Sequence, residues 1–440
     1  MAESNPAQLE FATFKSRKVV ADFGGGEVSS DGGLLLLREV DRRLGLTRRA
    51  APLLPDDRQR GKVEHGMLAM LRQRVFAIAQ GYEDLNDHGE LRHDTLLQAA
   101  AGRDRQLASA ATLCRMENRA DRGCAKALNG LLVDLFVESH GAAPEEVVLD
   151  FDATDDPVHG RQEGRFFHGY YDRYCFLPLY VFCGDQPLLA WLRPSNIDGA
   201  RGAWAALRWL VKKLRAAWPE VKITLRADSG FCRWKMLRWC EGNGVGYIVG
   251  IAKNARLDRL AGHLLDAAEA HHAHRGKKAR LFGWLRYAAG TWDRERWVIA
   301  KAEHGGRGAN PRYVITNIPG DAQRLYDGIY CARGDMENRI KEQQLDLFAG
   351  RTSCHRWWPN QLRLMLSTMA YALVEGLRRL GLGGTGWARK QAGTLRCKLL
   401  KIGAVVVRNT RRVIVHLSSA YPYREIFEAA HRKLCQIPPG

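Results

Sequence analysis

Asp150 and Asp152 stand two residues apart at the end of VVLDFD, a β-branched run that reads as a buried strand. That spacing sends both carboxylates to one face, and strand ends are where α/β folds build their sites. Capping of the turn that follows is the competing role for such an Asp. Asp228, in RADSGF, closes a second strand over 221–226, and its side chain can equally cap the helix beyond Ser-Gly. The third acidic group is Glu337. In YCARGDMENRIKEQQLDL, Tyr330, Arg333, Glu337, Lys341 and Gln344 recur at intervals of 3, 4, 4 and 3, which makes one helical stripe. Ile340, Leu345 and Leu347 are assigned to another face. The stripe is either a solvated face held by i,i+4 ion pairs or a surface that takes a metal and a phosphate together. Two Asp at strand ends and a Glu on a helix supply the hard oxygen ligands that Mg²⁺ prefers. Two such ions about 3.5–4 Å apart serve phosphoryl transfer, one activating the attacking oxygen and one stabilising the leaving oxygen.

The surrounding pattern predicts how these groups are positioned. Residues 1–20 show no period and read as frayed, and DFGGGEVSSDGG reads as turn chemistry, lacking the Gly-Lys-Ser/Thr ending of a phosphate loop. Helical spacing follows over 33–44 and 63–79, the latter with Arg72 and Arg74 between its apolar positions, and basic helical segments continue over 95–140. We expect a helical N-terminal domain over 21–145. After residue 146, strands and helices alternate, as a mixed α/β sheet with crossover helices requires. We divide this part into a core over 146–252, a mostly antiparallel β-rich insertion over 253–320, and a second core part with the Glu helix over 321–384. A basic α+β region over 385–440 completes the chain, with a helix near 388–401 and a hairpin turning at Asn409-Thr410.

Charge narrows the partner. The chain of 440 residues carries 67 Lys and Arg against 48 Asp and Glu, a net +19. Residues 351–440 alone hold 16 basic and 3 acidic side chains, the footprint expected for a polyanion. Apolar runs fall short of the roughly 20 residues of a membrane span, and no signal-peptide pattern opens the sequence, so a cytoplasmic protein is expected. The ten cysteines include no C-x-x-C pair and read as reduced core thiols. His271, His272 and His274 read as a solvated loop rather than a zinc site. Trp357 and Trp358 read as corner packing.

Taken in order, LDFDATDD, LRPSN, LRADSGF, YIVGIAKN and YCARGDMENRIKE resemble the DDE transposases of bacterial insertion sequences, most of all the thirteen-eighty group, which is similar to the insertion-sequence-four superfamily. The resemblance runs from Asp22 to Leu434. It implies an RNase H-like catalytic core with an insertion between the second Asp and the Glu, which suits the separations of 76 and 109 residues between Asp152, Asp228 and Glu337. It also implies that these three are the catalytic, metal-holding residues. Asp150 remains open as the first ligand or as its support. Arg333 and Lys341 would steady phosphates, and Tyr330 would lie near the end nucleotides. The family pattern continues with a Lys where this chain has Gln344.

The implied reaction is hydrolysis at the element's ends followed by strand transfer, with two Mg²⁺ ions, or Mn²⁺ in their place. The implied partner is double-stranded DNA, as terminal inverted repeats and as target, held by a homodimer in a synaptic complex. Trp292 and Trp297 are candidates to stack on an extruded base, with sheet packing as their alternative. Arg411 and Arg412 are candidates for DNA contact in the tail. A transposase-derived DNA-binding protein without catalysis and a two-metal nuclease stay open as other readings.

Overall fold

The β-branched runs after residue 145 are short and mostly apolar, and such strands fold stably at the centre of a sheet covered by helices. The computed structural model describes residues 8–438 and Gly440. The chain divides into two units, Met1–Arg119 with Met369–Gly440, and Ala120–Thr368.

The second unit contains, in order, α1 (Arg122–Glu138), β1 (Glu146–Ala153), β2 (Leu179–Cys183), β3 (Gln186–Trp191), α2 (Ala203–Ala217), β4 (Lys222–Ala227), α3 (Trp234–Gly242), β5 (Val245–Ile251), α4 (Gly262–Arg275), β6 (Ala279–Tyr287), β7 (Arg296–Gly305), β8 (Arg312–Thr316) and α5 (Gly334–Asp346). With the two-residue strand Gly308–Ala309, they form a nine-stranded sheet in the order β6-β7-β8-β5-β4-β1-β2-β3. β4 runs parallel to β1 and β5, and the other pairs along that path are antiparallel. Parallel neighbours need a crossover, and α2 and α3 provide one each. Val147, Leu149 and Phe151 of β1 share a buried cluster with Leu207, Leu210 and Leu214 of α2 and Leu237 of α3. Each such side chain contributes about 1.5–3 kcal/mol when fully buried. Strand alternation then turns Asp150 and Asp152 to the other face.

The segment 253–320, expected as a β-rich insertion, is continuous with this sheet. β8 pairs with β5, and β7 and β6 follow beyond it. The polar histidine run lies on α4 and not in a loop; His272 Nδ1 is 2.8 Å from the Lys277 carbonyl and its ring stacks on His304. The Glu-bearing stripe is also not one α-helix. Leu325–Tyr330 is a π turn, Cys331–Arg333 a 3₁₀ turn, and α5 begins at Gly334. Ile340 and Leu347 are buried as expected, but Leu345 is exposed. Trp357 and Trp358 pack edge-on against Phe176 and Trp191.

In the first unit, Leu9–Phe14 and Arg17–Ala21 pair as an antiparallel hairpin where the sequence reads as frayed; residues 1–7 of that expectation lie outside the described residues. Every residue of the hairpin is exposed, so no buried face wrote an alternation into it. The helix expected over 63–79 is Met67–Gln80, because Gly66 ahead of it has extended backbone. Within it Arg74 is buried and paired with Glu117 at 2.9 Å, which removes it from any role at the surface. The helix expected near 388–401 breaks into Gly386–Arg389, Ala392–Leu395 and a π turn, Arg396–Leu400. The tail hairpin pairs Ala404–Arg408 with Val413–Leu417. Three cysteines expected in the core, Cys331, Cys397 and Cys435, are exposed. Among the described residues, no helix is long and apolar enough to cross a membrane.

Candidate active site

The central register decides which aspartate is available. Arg226 of β4 sits opposite Asp150 of β1, and its Nε and Nη2 donate to both carboxylate oxygens, the second at 2.7 Å. Its Nη1 donates to the Ile329 carbonyl at 2.6 Å, just before Tyr330. Burial raises the Asp150 carboxyl above its ordinary value while Arg226 opposes the rise. Asp150 is therefore a buried clamp between β1, β4 and the segment that leads to α5.

Asp152, two residues on, has no such partner. Its Oδ1 accepts the Ala153 amide at 2.9 Å, and its Oδ2 lies 3.9 Å from Arg333 Nη1. Burial first, then the charge of Asp228, push its carboxyl up to about 7, with Glu337 adding to the rise and Arg333 opposing it. Asp228 does cap the 3₁₀ turn Ser229–Phe231, accepting the Gly230 amide at 2.9 Å through Oδ1. That bond fixes the carboxylate at the end of β4 and occupies one oxygen. Arg333 Nη2 donates to Glu337 Oε1 one helical turn away. Although burial works to lower it, the charges of Glu337 and Asp152 raise the Arg333 pKa. One guanidinium thus bridges carboxylates that lie 185 positions apart in the chain.

Tyr330 approaches the same place. A Cβ on Gly250 of β5 would stand 2.7 Å from Tyr330 Oη and 2.9 Å from the Ser229 amide, so glycine is required for the tyrosine to reach the Asp228 turn. Burial raises the Tyr330 hydroxyl pKa, and the Asp228 charge adds to it. Lys341 is exposed, with no ion pair among the described residues. Gln344 Nε2 donates to the Asp155 carbonyl at 2.9 Å and ties α5 to the loop after β1.

Gly250 and Tyr171 carry functions that the sequence does not announce, and Gln344 makes a contact that it does not announce. Gly250 carries no signal beyond being a glycine inside a strand. Gln344 departs from the family pattern, and nothing local in the sequence encodes its contact with the Asp155 carbonyl. Tyr171 lies in HGYYDRYCF, where aromatic and basic residues interleave; burial, then Asp155 and Asp152, push its hydroxyl up to about 12. That segment adds a small sheet, Asp156–Pro157, Arg173–Phe176 and Phe166–His168, with Phe167, Tyr170 and Tyr174 exposed.

The DNA-contact candidates stand elsewhere. Trp292 packs against the core and edge-on to Tyr287, whereas Trp297 is 49% exposed beneath the Arg286 guanidinium. Arg411 and Arg412 sit at the tip of the tail hairpin in the first unit, their backbone amides held by Asn409 Oδ1 at 3.0 and 2.9 Å and their side chains exposed.

As a donor set, the three carboxylates suit hard divalent cations; burial first, and then the charges of Asp228 and Glu337, raise the Asp152 carboxyl. Among the described residues no three His, Cys, Asp or Glu side chains are drawn together closely enough to hold an ion, and Arg333 sits between Asp152 and Glu337.

The family model of the transposase DDE domain, group 1, matches residues 11–439. No curated protein matches the chain by sequence. Among solved structures, the cryo-EM structure of the piggyBac transposase synaptic complex with hairpin DNA is 11% identical, with a TM-score of 0.42 over 84% of this chain and 80% of that one.

Proposed function

The chain belongs to the transposase DDE domain family, and from that premise we propose that it cleaves DNA at the ends of an insertion sequence of the bacterial thirteen-eighty type and joins them to target DNA. The observation that carries this reading is the gathering of Asp152, Asp228 and Glu337 around Arg333 and Tyr330. Supporting it, the five strands β3-β2-β1-β4-β5, with β1, β4 and β5 parallel, have the order and direction of an RNase H-like core.

Asp152, Asp228 and Glu337 are the residues that would hold two Mg²⁺, or Mn²⁺ in their place. When bound, these ions supply activation of the attacking oxygen and charge stabilisation at the leaving one. The chain's own groups do the positioning. Asp150 and Arg226 lock the strand ends, and Gly250 lets Tyr330 stand beside the Asp228 turn, where it meets the end nucleotide. Arg333 exchanges its carboxylate contacts for a phosphate, and Lys341 meets the next phosphate from the exposed side of α5. A dimer follows from the reaction, since two ends are paired before joining. Cytoplasmic, nucleoid-associated protein is the corresponding location.

Purified protein with end-bearing duplex and Mg²⁺ should release 3′-OH ends, and Asp228→Asn should abolish the release; cleavage that survives the substitution overturns the assignment. A second reading, a DNA-binding protein derived from a transposase, is favoured by Gln344, which presents an amide tied to Asp155 where the family presents a cation. End binding with no cleavage in either Mg²⁺ or Mn²⁺ selects it.

A further inference from the structure

On the face of the sheet opposite Asp152 lies a cavity of about 660 Å³, the size range of small-molecule sites. Leu179 of β2 and Leu189 and Trp191 of β3 form its floor, and α1 and α2 form its walls. Register sets Asp152 beside Tyr180 and Tyr180 beside Ala190, so the cavity shares an end of the sheet with the carboxylates while facing the other way. Four cations line it, Arg122, Lys126, Arg193 and Arg201, and no carboxylate does.

Arg193 is the informative one. It is 5% exposed, and its guanidinium donates to the carbonyls of Leu177, Gly199 and Arg201 at 2.9, 2.9 and 2.6 Å. Its Nη2 is buried without a hydrogen-bond partner among the described residues. The neighbouring carboxylate, Asp198, is instead hydrogen-bonded to Arg233. Burial lowers the Arg193 pKa to about 10, with Asp198 opposing. A buried guanidinium with a spare donor is costly unless an anion completes it.

A second feature points the same way. The N-terminus of the fifteen-residue α2 borders the cavity at Gly202, whose φ of 85° suits glycine; no side chain caps it and its first turn holds no acidic residue. The Ala203 amide donates to the Ala200 carbonyl at 3.0 Å, and the dipole of the helix favours an anion at this end. Trp191 in the floor and Trp209 in the α2 wall add two aromatic surfaces.

We propose that this cavity binds one nucleoside phosphate, the phosphate on Arg193, the other three cations and the α2 N-terminus, and the base against Trp191 and Trp209. Its source is an extruded nucleotide of bound DNA or a free nucleotide. The choice of a nucleotide rests on the DNA reading above; the anion site rests on the cavity itself.

Calorimetric titration of the full chain without divalent metal tests it, with dTMP, inorganic phosphate and thymidine as probes. We expect dTMP to bind at least tenfold more tightly than either fragment. The double variant Arg122→Glu/Lys126→Glu, on the exposed side of α1, should weaken dTMP at least tenfold at unchanged melting temperature. Absence of dTMP binding, or an unchanged Kd in the folded double variant, overturns the proposal. Photocrosslinking of a 5-iododeoxyuridine oligonucleotide to Trp191 or Trp209 assigns the DNA source, and dTMP binding without crosslink assigns the free one. Because no metal or terminal sequence enters the titration, its failure with end cleavage intact counts against the cavity alone. Binding with cleavage absent counts against phosphoryl transfer alone.

Discussion

At the scale of single residues, the contrast between Asp150 and Asp152 is one of partners. Both carboxylates leave the same face of β1, but Arg226 takes both oxygens of the first, and the second keeps one oxygen within reach of Arg333 alone. Removing one member of a buried pair leaves an uncompensated charge, at a cost of about 3–5 kcal/mol. Asp150→Ala should therefore destabilise by about that much in urea unfolding, whereas Asp152→Asn, which removes a repelled carboxyl, should not lower stability yet should abolish cleavage. Equal losses of stability in the two would contradict the division of roles. Gly250→Ala forces a methyl to within 2.7 Å of Tyr330 Oη. Overpacking of this kind costs about 1–3 kcal/mol, and the displaced tyrosine should slow cleavage more than it weakens DNA binding, a split that gel shift and cleavage assays read separately. The acidic residues were legible because they break the trend of a basic chain. The role of Gly250 was not, because it depends on a tyrosine eighty residues later in the chain.

At the scale of elements, α5 is placed by its ends. The π and 3₁₀ turns ahead of it interrupt a stripe that sequence spacing reads as unbroken, since side-chain intervals of three and four fit several helical pitches nearly as well. Gln344 anchors the far end to the Asp155 carbonyl. Gln344→Ala should cost about 1 kcal/mol and reduce cleavage, as loss of one hydrogen bond predicts. Gln344→Lys, which keeps a donor and adds charge, should restore cleavage and tighten DNA binding; a lysine variant as impaired as the alanine would show that the amide geometry itself is needed. The strands of 279–316 illustrate the limit of pattern reading. Their alternation announces β structure and antiparallel turns, but that they join the sheet through β8 beside β5 is a long-range pairing, which no local pattern encodes.

At the scale of the whole molecule, net charge overstates the surface available to DNA. In the basic tail, Arg378 is buried and Lys401 pairs with Asp31 at 2.6 Å. Arg411 and Arg412 are exposed at a hairpin tip, so each alanine substitution there should weaken end binding across sequences and reduce the salt slope by about one. A slope unchanged in the double variant would remove them from the interface. Stability should also depend on pH through His88. Its Nδ1 faces the Gln73 amide nitrogen at 3.1 Å, and its Nε2 faces Arg74 at 3.2 Å. Burial first, then the Arg74 charge, lower its pKa to about 3. The folded state holds this ring neutral, while the unfolded chain takes up a proton below about 6.5, so its contribution is complete above that pH. It is lost as pH falls toward 3, by up to about 1.4 kcal/mol per unit. His88→Gln should flatten the melting temperature between pH 6.5 and 4 relative to the parent.

What the sequence determined by itself was the change from helices to alternating strands and helices after residue 145, the acidic candidates set against a basic chain, and the basic tail. Each of these is written locally, as periodicity, composition or charge against the trend. The tertiary structure decided which aspartate is clamped, where β6, β7 and β8 attach, which arginines are spent in buried pairs, and that Arg193 keeps an unpaired donor beside a cavity. Those outcomes turn on partners brought together across long separations, and a hydrogen bond or a buried charge has no meaning until the partner is in place.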